Sequence, residues 1–208
     1  MHEAMLWESI GGGKVHCLLC RHHCKIPEGG KGVCVVRENQ GGRLYTLIYD
    51  KVIARNVDPI EKKPLFNFLP GSYSYSIATP GCNFRCLFCQ NADIAQMPRE
   101  QKVILGSAFS AEAMVAEVAS YGCASISYTY TEPTIFFELA YDTARLAHDR
   151  GIKNIFVTNG YITREALGIM RPYLDAANID LKGFDPDFYR EVCGAKLDEV
   201  KDSIKAYH

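Results

Sequence analysis

Thr79-Pro80-Gly81-Cys82-Asn83-Phe84-Arg85-Cys86-Leu87-Phe88-Cys89-Gln90-Asn91 is the stretch whose reading decides the fold. It follows an alternating, strand-like run, Tyr73 to Ala78, and carries three cysteines at spacing C-x3-C-x2-C. Three thiolates can hold three irons of a cubane [4Fe–4S] cluster, which ordinarily takes four cysteines. No fourth cysteine follows within thirty residues, so one iron is left open, and an open position is where chemistry can occur. The alternative for the loop is a zinc knuckle that borrows a histidine or a distant cysteine.

Downstream of the loop, strands and helices alternate. Ser110 is placed to cap a helix with Met114, Val115 and Val118 on its apolar face and Gly122 at its end. Ala124 to Tyr130 reads as a second strand. Pro133 opens a helix that presents Phe136, Leu139, Thr143 and Leu146 and stops at Gly151. Ile152 to Thr158 is a third strand, and Thr163 caps a helix with Leu167 and Met170 inward. Ala176 to Leu181 is a fourth strand, followed by a short helix from Asp185-Pro186 to Gly194 and a last one over Asp198 to Tyr207. This alternation predicts an α/β fold with a parallel sheet. In such sheets ligands sit at the carboxyl ends of the strands. Those ends carry the three cysteines, Glu132, Asn159, and the pair Asp180 and Lys182, while the strand bodies read as largely apolar. Alternation puts Asp180 and Lys182 on one side of their strand.

Upstream, residues 1–72 read as a small Cys-rich β region and residues 73–208 as the α/β core. Cys17-x2-Cys20-x3-Cys24, with Cys34 further on, supplies four thiolates, enough for a tetrahedral zinc or a second iron–sulfur cluster. Asn39-Gln40-Gly41-Gly42 is a hairpin signal between Val33–Arg37 and Leu44–Tyr49. Val57 to Pro70, with Pro59, Pro64 and Pro70, reads as an extended connector whose prolines block regular pairing. Cys123 and Cys193 stand alone and read as small core residues.

Composition narrows the function classes. The chain has 208 residues, 48% apolar and 23% charged, with a net charge of -1. That balance gives no field for nucleic acid or an anionic membrane. No apolar run approaches the ~20 residues of a membrane span, and the first residues lack a secretory pattern. The expected location is therefore the cytoplasm. Nine cysteines at tight spacings then suit metal binding better than disulfides.

The string Gly81 to Asn91, with Phe88 before the last cysteine, resembles the radical S-adenosylmethionine (SAM) superfamily and, within it, the pyruvate formate-lyase activating enzymes. The N-terminal knuckle, Pro59-Ile60-Glu61-Lys62-Lys63-Pro64-Leu65-Phe66 and Phe68-Leu69-Pro70-Gly71 resemble the relatives found in the AmmeMemoRadiSam system. The resemblance implies a [4Fe–4S] cluster on Cys82, Cys86 and Cys89 whose open iron binds SAM. It implies an anaerobic oxidoreductase that cleaves SAM to a 5′-deoxyadenosyl radical for hydrogen abstraction, with a reductant such as ferredoxin or flavodoxin and a protein glycine as substrate. By the same resemblance Glu132 meets the SAM ammonium, although here Thr129-Tyr130-Thr131 stands where the family often has glycines. Asp180-Leu181-Lys182 resembles a triplet whose residues contact SAM in the activating enzymes, and Asn159, at the end of the third strand, is a further candidate for the same cofactor. The bland readings are a helix N-terminal acid for Glu132 and a mutual salt bridge or a solvated rim for Asp180 and Lys182. The resemblance also implies a partial (β/α) barrel, with four βα units present where such barrels have six, the later units missing, and the fourth strand an exposed parallel edge. Two other functions stand beside the activase: radical modification of a small molecule or another protein side chain, and a non-catalytic iron–sulfur or zinc protein for electron transfer or scaffolding.

Overall fold

The structure, a computed structural model, describes residues Met1–His208. A five-stranded sheet organises it: β1 (Ala54–Pro59), β2 (Tyr73–Ala78), β3 (Ser125–Tyr128), β4 (Lys153–Thr158) and β5 (Ala176–Ile179), in the spatial order β5-β4-β3-β2-β1. Strands β2 to β5 are parallel. Between them run α1 (Ala111–Ser120), α2 (Phe137–His148) and α3 (Arg164–Met170), and α4 (Leu197–Tyr207) ends the chain. The expected caps form: Ser110 and Thr163 accept hydrogen bonds from the main-chain N–H of Ala113 and Ala166. Pro133 opens a 3-10 turn, Pro133–Phe136, before α2 begins. Asp185 caps the short helix, which widens into one π turn over Tyr189–Cys193 and ends on Gly194 in the left-handed conformation.

Two expectations fail here. The connector after Val57 is not unpaired: Ala54–Pro59 is an edge strand, antiparallel to β2, with Ala54 opposite Ala78 and Pro59 opposite Tyr73. The sheet is therefore mixed. Pro59 is tolerated because it closes an edge strand, where its missing donor removes little pairing, and Pro64 and Pro70 lie beyond it. Nor are the strand bodies uniformly apolar. Tyr75, Ile77, Ile126, Tyr128 and Phe156 face the helices and join the hydrophobic core. Ser74, Ser76, Ser125 and Ser127, all fully buried, lie on the opposite face. Ser74 and Ser127 hydrogen-bond each other at 2.6 Å. Ser76 donates to Asp58 at 3.0 Å, whereas Ser125 Oγ has no partner.

The N-terminal region forms short antiparallel sheets. The hairpin pairs Arg37–Gln40 with Arg43–Thr46 and turns at Gly41-Gly42. The region does not stand apart. One hydrophobic core of 31 buried residues takes Val15, Leu19, Ile26 and Leu44 together with Met114, Leu139 and Phe156. The sheet and this core both cross the division expected at residue 72.

Candidate functional site

All seven rim residues anticipated in the α/β core line one cavity of about 580 Å³: Cys82, Cys86, Cys89, Glu132, Asn159, Asp180 and Lys182. The volume is in the range of small-molecule sites. Cys17, Cys20, Cys24 and Cys34 do not line it.

The cysteine loop is anchored from several sides. Phe84 is buried and packs edge-on against Tyr161 and Tyr189. The N–H groups of Arg85 and Leu87 donate to the carbonyls of Cys193 and Val192, at 2.9 and 3.1 Å. Thr131 donates to the carbonyl of Thr79, where the loop starts, and Asn91, where it ends, donates to the carbonyl of Tyr130. Buried Asn83 takes a bond from Asn159 Nδ2 at 2.8 Å, and its carbonyl meets His22 Nε2 at 2.8 Å. The turn before Glu132 thus grips the loop at both ends. Phe88 stacks on Phe188 with ring centroids 5.9 Å apart and lines the cavity.

Two N–H groups already point at Cys82 Sγ, from Phe84 at 3.3 Å and Asn159 Nδ2 at 3.9 Å. Burial pushes the Cys82 thiol up. Burial and the neighbouring Cys193 thiol push Cys86 up to about 12. Metal binding must therefore displace protons from these sulfurs. Cys193 is buried, as its solitary place in the sequence suggests, but it lies beside Cys86 and not in the main core.

Glu132 is 2% exposed. Its Oε1 accepts from Thr134 N, Thr134 Oγ1 and Thr158 Oγ1, and its Oε2 from Asn159 N at 2.8 Å. It is thus the N-terminal cap of the turn at Pro133, as the structural reading expects, and it also lines the cavity. Burial pushes its carboxyl up, against the pull of these hydrogen bonds. Oε2 makes one bond and keeps capacity for a second donor. Asp180 and Lys182 form a 2.6 Å salt bridge at the rim. Burial works against the Lys182 charge, and the Asp180 carboxylate outweighs it and raises the pKa.

The N-terminal cysteines form a second group. Burial pushes Cys20 well up, and Cys17, Cys34 and Cys24 act on it in the same direction, while the Cys17 N–H donates to the Cys24 carbonyl at 2.9 Å. Burial likewise pushes Cys34 up to about 11. N–H groups of Arg37 and Val33 approach Cys17 Sγ at 3.7 Å and Cys24 Sγ at 3.4 Å. All nine cysteines are free thiols. In neither group are three side chains already closed into metal-ligating geometry. The donor chemistry fits a metal, and the sulfurs have still to close on it. The knuckle docks on the loop after β4: Arg21 donates to the carbonyls of Tyr161 and Ile162, and Thr163 Oγ1 to that of Leu18.

Residues 76–208 match the family model described as the Radical SAM superfamily. The chain belongs to the radical SAM superfamily. Members of this superfamily bind a [4Fe–4S] cluster and SAM. Uncharacterized protein MJ0808 of Methanocaldococcus jannaschii is 46% identical over 205 residues, 99% of this chain and 60% of its own length. A probable GTP 3',8-cyclase of Sulfolobus acidocaldarius is 32% identical, over 61% of this chain and 40% of its own. The chain thus spans about three fifths or less of these curated relatives. A solved structure of TYW1 with a lysine-pyruvate adduct bound covers 69% of this chain and 53% of its own, at 18% identity and a TM-score of 0.45. No helix is long and apolar enough to cross a membrane.

The cavity also holds residues that the strand-end reasoning missed: Asp58, Lys62, Lys63 and Tyr130. The first three belong to the segment taken as a connector. Two adjacent lysines four and five residues after an aspartate, in a proline-marked stretch, were the available signal.

Proposed function

We propose that this chain is the SAM-binding part of an enzyme that reductively cleaves SAM and uses the resulting radical for hydrogen abstraction. What carries the reading is one cavity that takes Cys82, Cys86 and Cys89 on one wall and Glu132, Asn159, Asp180 and Lys182 on the others. In this reading the three thiolates hold the [4Fe–4S] cluster, which when bound supplies the electron for cleavage. Glu132 Oε2 takes the SAM ammonium, and Lys182 turns from Asp180 toward its carboxylate. Asn159 ties Cys82 and Asn83 to Glu132, so the metal and the ammonium acceptor share one rigid support. The sheet forms the first four βα units of a longer barrel. A cytoplasmic reductant such as ferredoxin or flavodoxin serves as electron donor.

Two substrate classes follow. The activating-enzyme motif around Cys82 supports abstraction from a protein glycine. The likeness to GTP 3',8-cyclases supports a small molecule, and the charged far end of the cavity favours this second reading. Cys17, Cys20, Cys24 and Cys34 are proposed to hold zinc or a second iron–sulfur cluster, supported by their mutual proximity and the N–H groups aimed at Cys17 and Cys24. Iron and zinc analysis of the Cys82/Cys86/Cys89 triple alanine variant separates those two metals.

Anaerobic incubation of the reconstituted full-length protein with SAM and dithionite tests the main reading. Methionine and 5′-deoxyadenosine are expected in equal amounts. Absence of 5′-deoxyadenosine from a fully iron-loaded protein overturns it and leaves the non-catalytic iron–sulfur reading.

A further inference from the structure

The cavity has two ends of opposite charge. At one end Glu132 and Asp180 outnumber Lys182, leaving one negative charge. At the other, Lys62 and Lys63 outnumber Asp58, leaving one positive charge. The two ends belong to opposite edges of the sheet. Asp180 and Lys182 follow β5, whereas Asp58 lies on β1 and the lysines directly after it. Four strand spacings, about 19 Å along the sheet, separate β1 from β5, and the chain behind the lysines runs back across that span, where Asn178 of β5 donates to the Pro64 carbonyl at 3.5 Å. SAM is a net cation, with a sulfonium and an ammonium against one carboxylate. It matches the negative end and leaves the positive end for something else.

Lys63 is the telling residue. It is 2% exposed and still lines the cavity. Its Nζ lies 2.8 Å from Asp58 Oδ2 and 4.6 Å from the centroid of the Tyr130 ring. An ammonium has three N–H donors. One goes to the carboxylate, the ring takes another, and the third has no protein acceptor. Asp58 is in the reverse condition. Its Oδ2 also accepts from Ser76 at 3.0 Å and Tyr130 at 2.5 Å, and its Oδ1 from Lys62 at 3.1 Å. Oδ2, with three donors, cannot take more from Lys63, and Oδ1 is engaged by Lys62. A buried, under-bonded ammonium is costly, and an anionic oxygen arriving through the cavity removes that cost.

We propose that Lys63, with Lys62 beside it, binds an anionic oxygen group of the substrate, a carboxylate or a phosphate, and that Asp58 and Tyr130 are positioning residues that aim it. This deepens the proposed function and rests on this cavity being the SAM site. It also bears on substrate class, because the molecule bound there carries a carboxylate or a phosphate.

The test is isothermal titration of the full-length protein, without cluster or SAM, with inorganic phosphate in one arm and succinate in the other. Ionic strength is fixed near the physiological ~0.15 M so that screening is constant. Saturable binding of at least one anion is expected, and the tighter arm tells phosphate from carboxylate. Lys63→Met should weaken it about tenfold or more, and the exposed Lys62→Met about twofold. Asp58→Asn should tighten it about threefold, because Lys63 loses its competing carboxylate while the shape is kept. A purely structural salt bridge predicts no such gain. Absence of saturable binding in both arms overturns the proposal, as does a Lys63→Met variant that binds like the wild type. Should Lys63→Met not fold by far-UV circular dichroism, Asp58→Asn decides, and binding no tighter than wild type counts against the proposal. Anion binding without 5′-deoxyadenosine formation would sink the SAM reading alone.

Discussion

Arg37 and Glu138 are each 1% exposed and form an ion pair between the N-terminal hairpin and α2. Arg37 also donates to the carbonyl of Met5 at 3.0 Å, and Met5 N–H donates to Glu138 at 2.7 Å. The pair is incompletely satisfied, since Arg37 Nε and Glu138 Oε2 have no partner. Arg37→Met therefore strands a buried carboxylate, which costs about 3–5 kcal/mol, and Glu138→Leu strands a buried guanidinium at similar cost. The double variant removes both charges. It leaves the two polar groups of Met5 to be met, at about 1–3 kcal/mol, and takes a weak N–H from Cys17 Sγ. The singles thus sum to about 6–10 kcal/mol while the double costs far less, a coupling well above that of independent sites. With a urea slope near the upper end of about 1–3 kcal/mol per molar, each single should lower the midpoint by about 1–1.7 M. Equilibrium urea unfolding under reducing conditions, with all four proteins compared, reads this directly. A single substitution costing below about 1 kcal/mol at unchanged slope refutes the reasoning. So does a double variant that costs the sum, because the two regions would then not be joined through this pair.

Three further outcomes are expected. Serine at Cys82, Cys86 or Cys89 should each remove one [4Fe–4S] cluster's share of iron and sulfide from the anaerobically reconstituted protein while serine at Cys123, which sits in the hydrophobic core, should not; metal analysis compares them. Asn159→Ala removes an N–H from Cys82 Sγ and orphans Asn83 Oδ1, so the reconstituted cluster should become harder to reduce, a negative shift in an anaerobic redox titration, with about 1–3 kcal/mol lost in stability. Burial works against the Asp58 carboxylate, but Lys63, Tyr130, Lys62 and Ser76 hold it well below the usual carboxylate range; its contribution is complete above its unfolded value of about 4 and is lost as pH falls below that, so Asp58→Asn should lose less stability than wild type between about pH 5 and pH 2 in thermal melts.

Much of this was legible because the signals were local. Ser110, Thr163 and Asp185 announce their caps by residue type, and Met114, Leu139 and Leu167 mark the helix faces by period. The C-x3-C-x2-C spacing and the polar strand ends name the rim without any contact information. What stayed hidden depends on long-range pairing. Whether Ala54–Pro59 joins the sheet is decided by its register against Tyr73–Ala78, and nothing within those six residues announces that partner. The prolines of the following segment argued for a connector, yet only Pro59 falls in the strand, and at its end. Ser74, Ser76, Ser125 and Ser127 read as ordinary strand residues until alternation is combined with strand order, when they fall on one buried face. Cys193 reads as core from sequence, and only the π turn Tyr189–Cys193, which no motif marks, brings it beside Cys86.

Tyr130 ties the turn before Glu132 to the edge strand. Where relatives often carry glycines before the acidic residue, this chain has Thr129-Tyr130-Thr131, and Tyr130 sits at φ 62. A bulky residue there costs on the order of 1–3 kcal/mol and persists only if its surroundings hold it. They do: its hydroxyl donates to Asp58 and takes a bond from Asn56 at 3.2 Å, its ring receives the Lys63 cation, and its carbonyl accepts from Asn91. Three of these four contacts come from β1 or the residues just after it. A glycine would adopt the turn unaided and would need no edge strand to fix it. Tyrosine makes the turn conditional on that strand, so the antiparallel edge both brings Asp58 and Lys63 into the cavity and sets the backbone that presents Glu132. The same dependence ties the cluster loop, through Asn91, to the charge state of Asp58, which a glycine-bearing relative would not share.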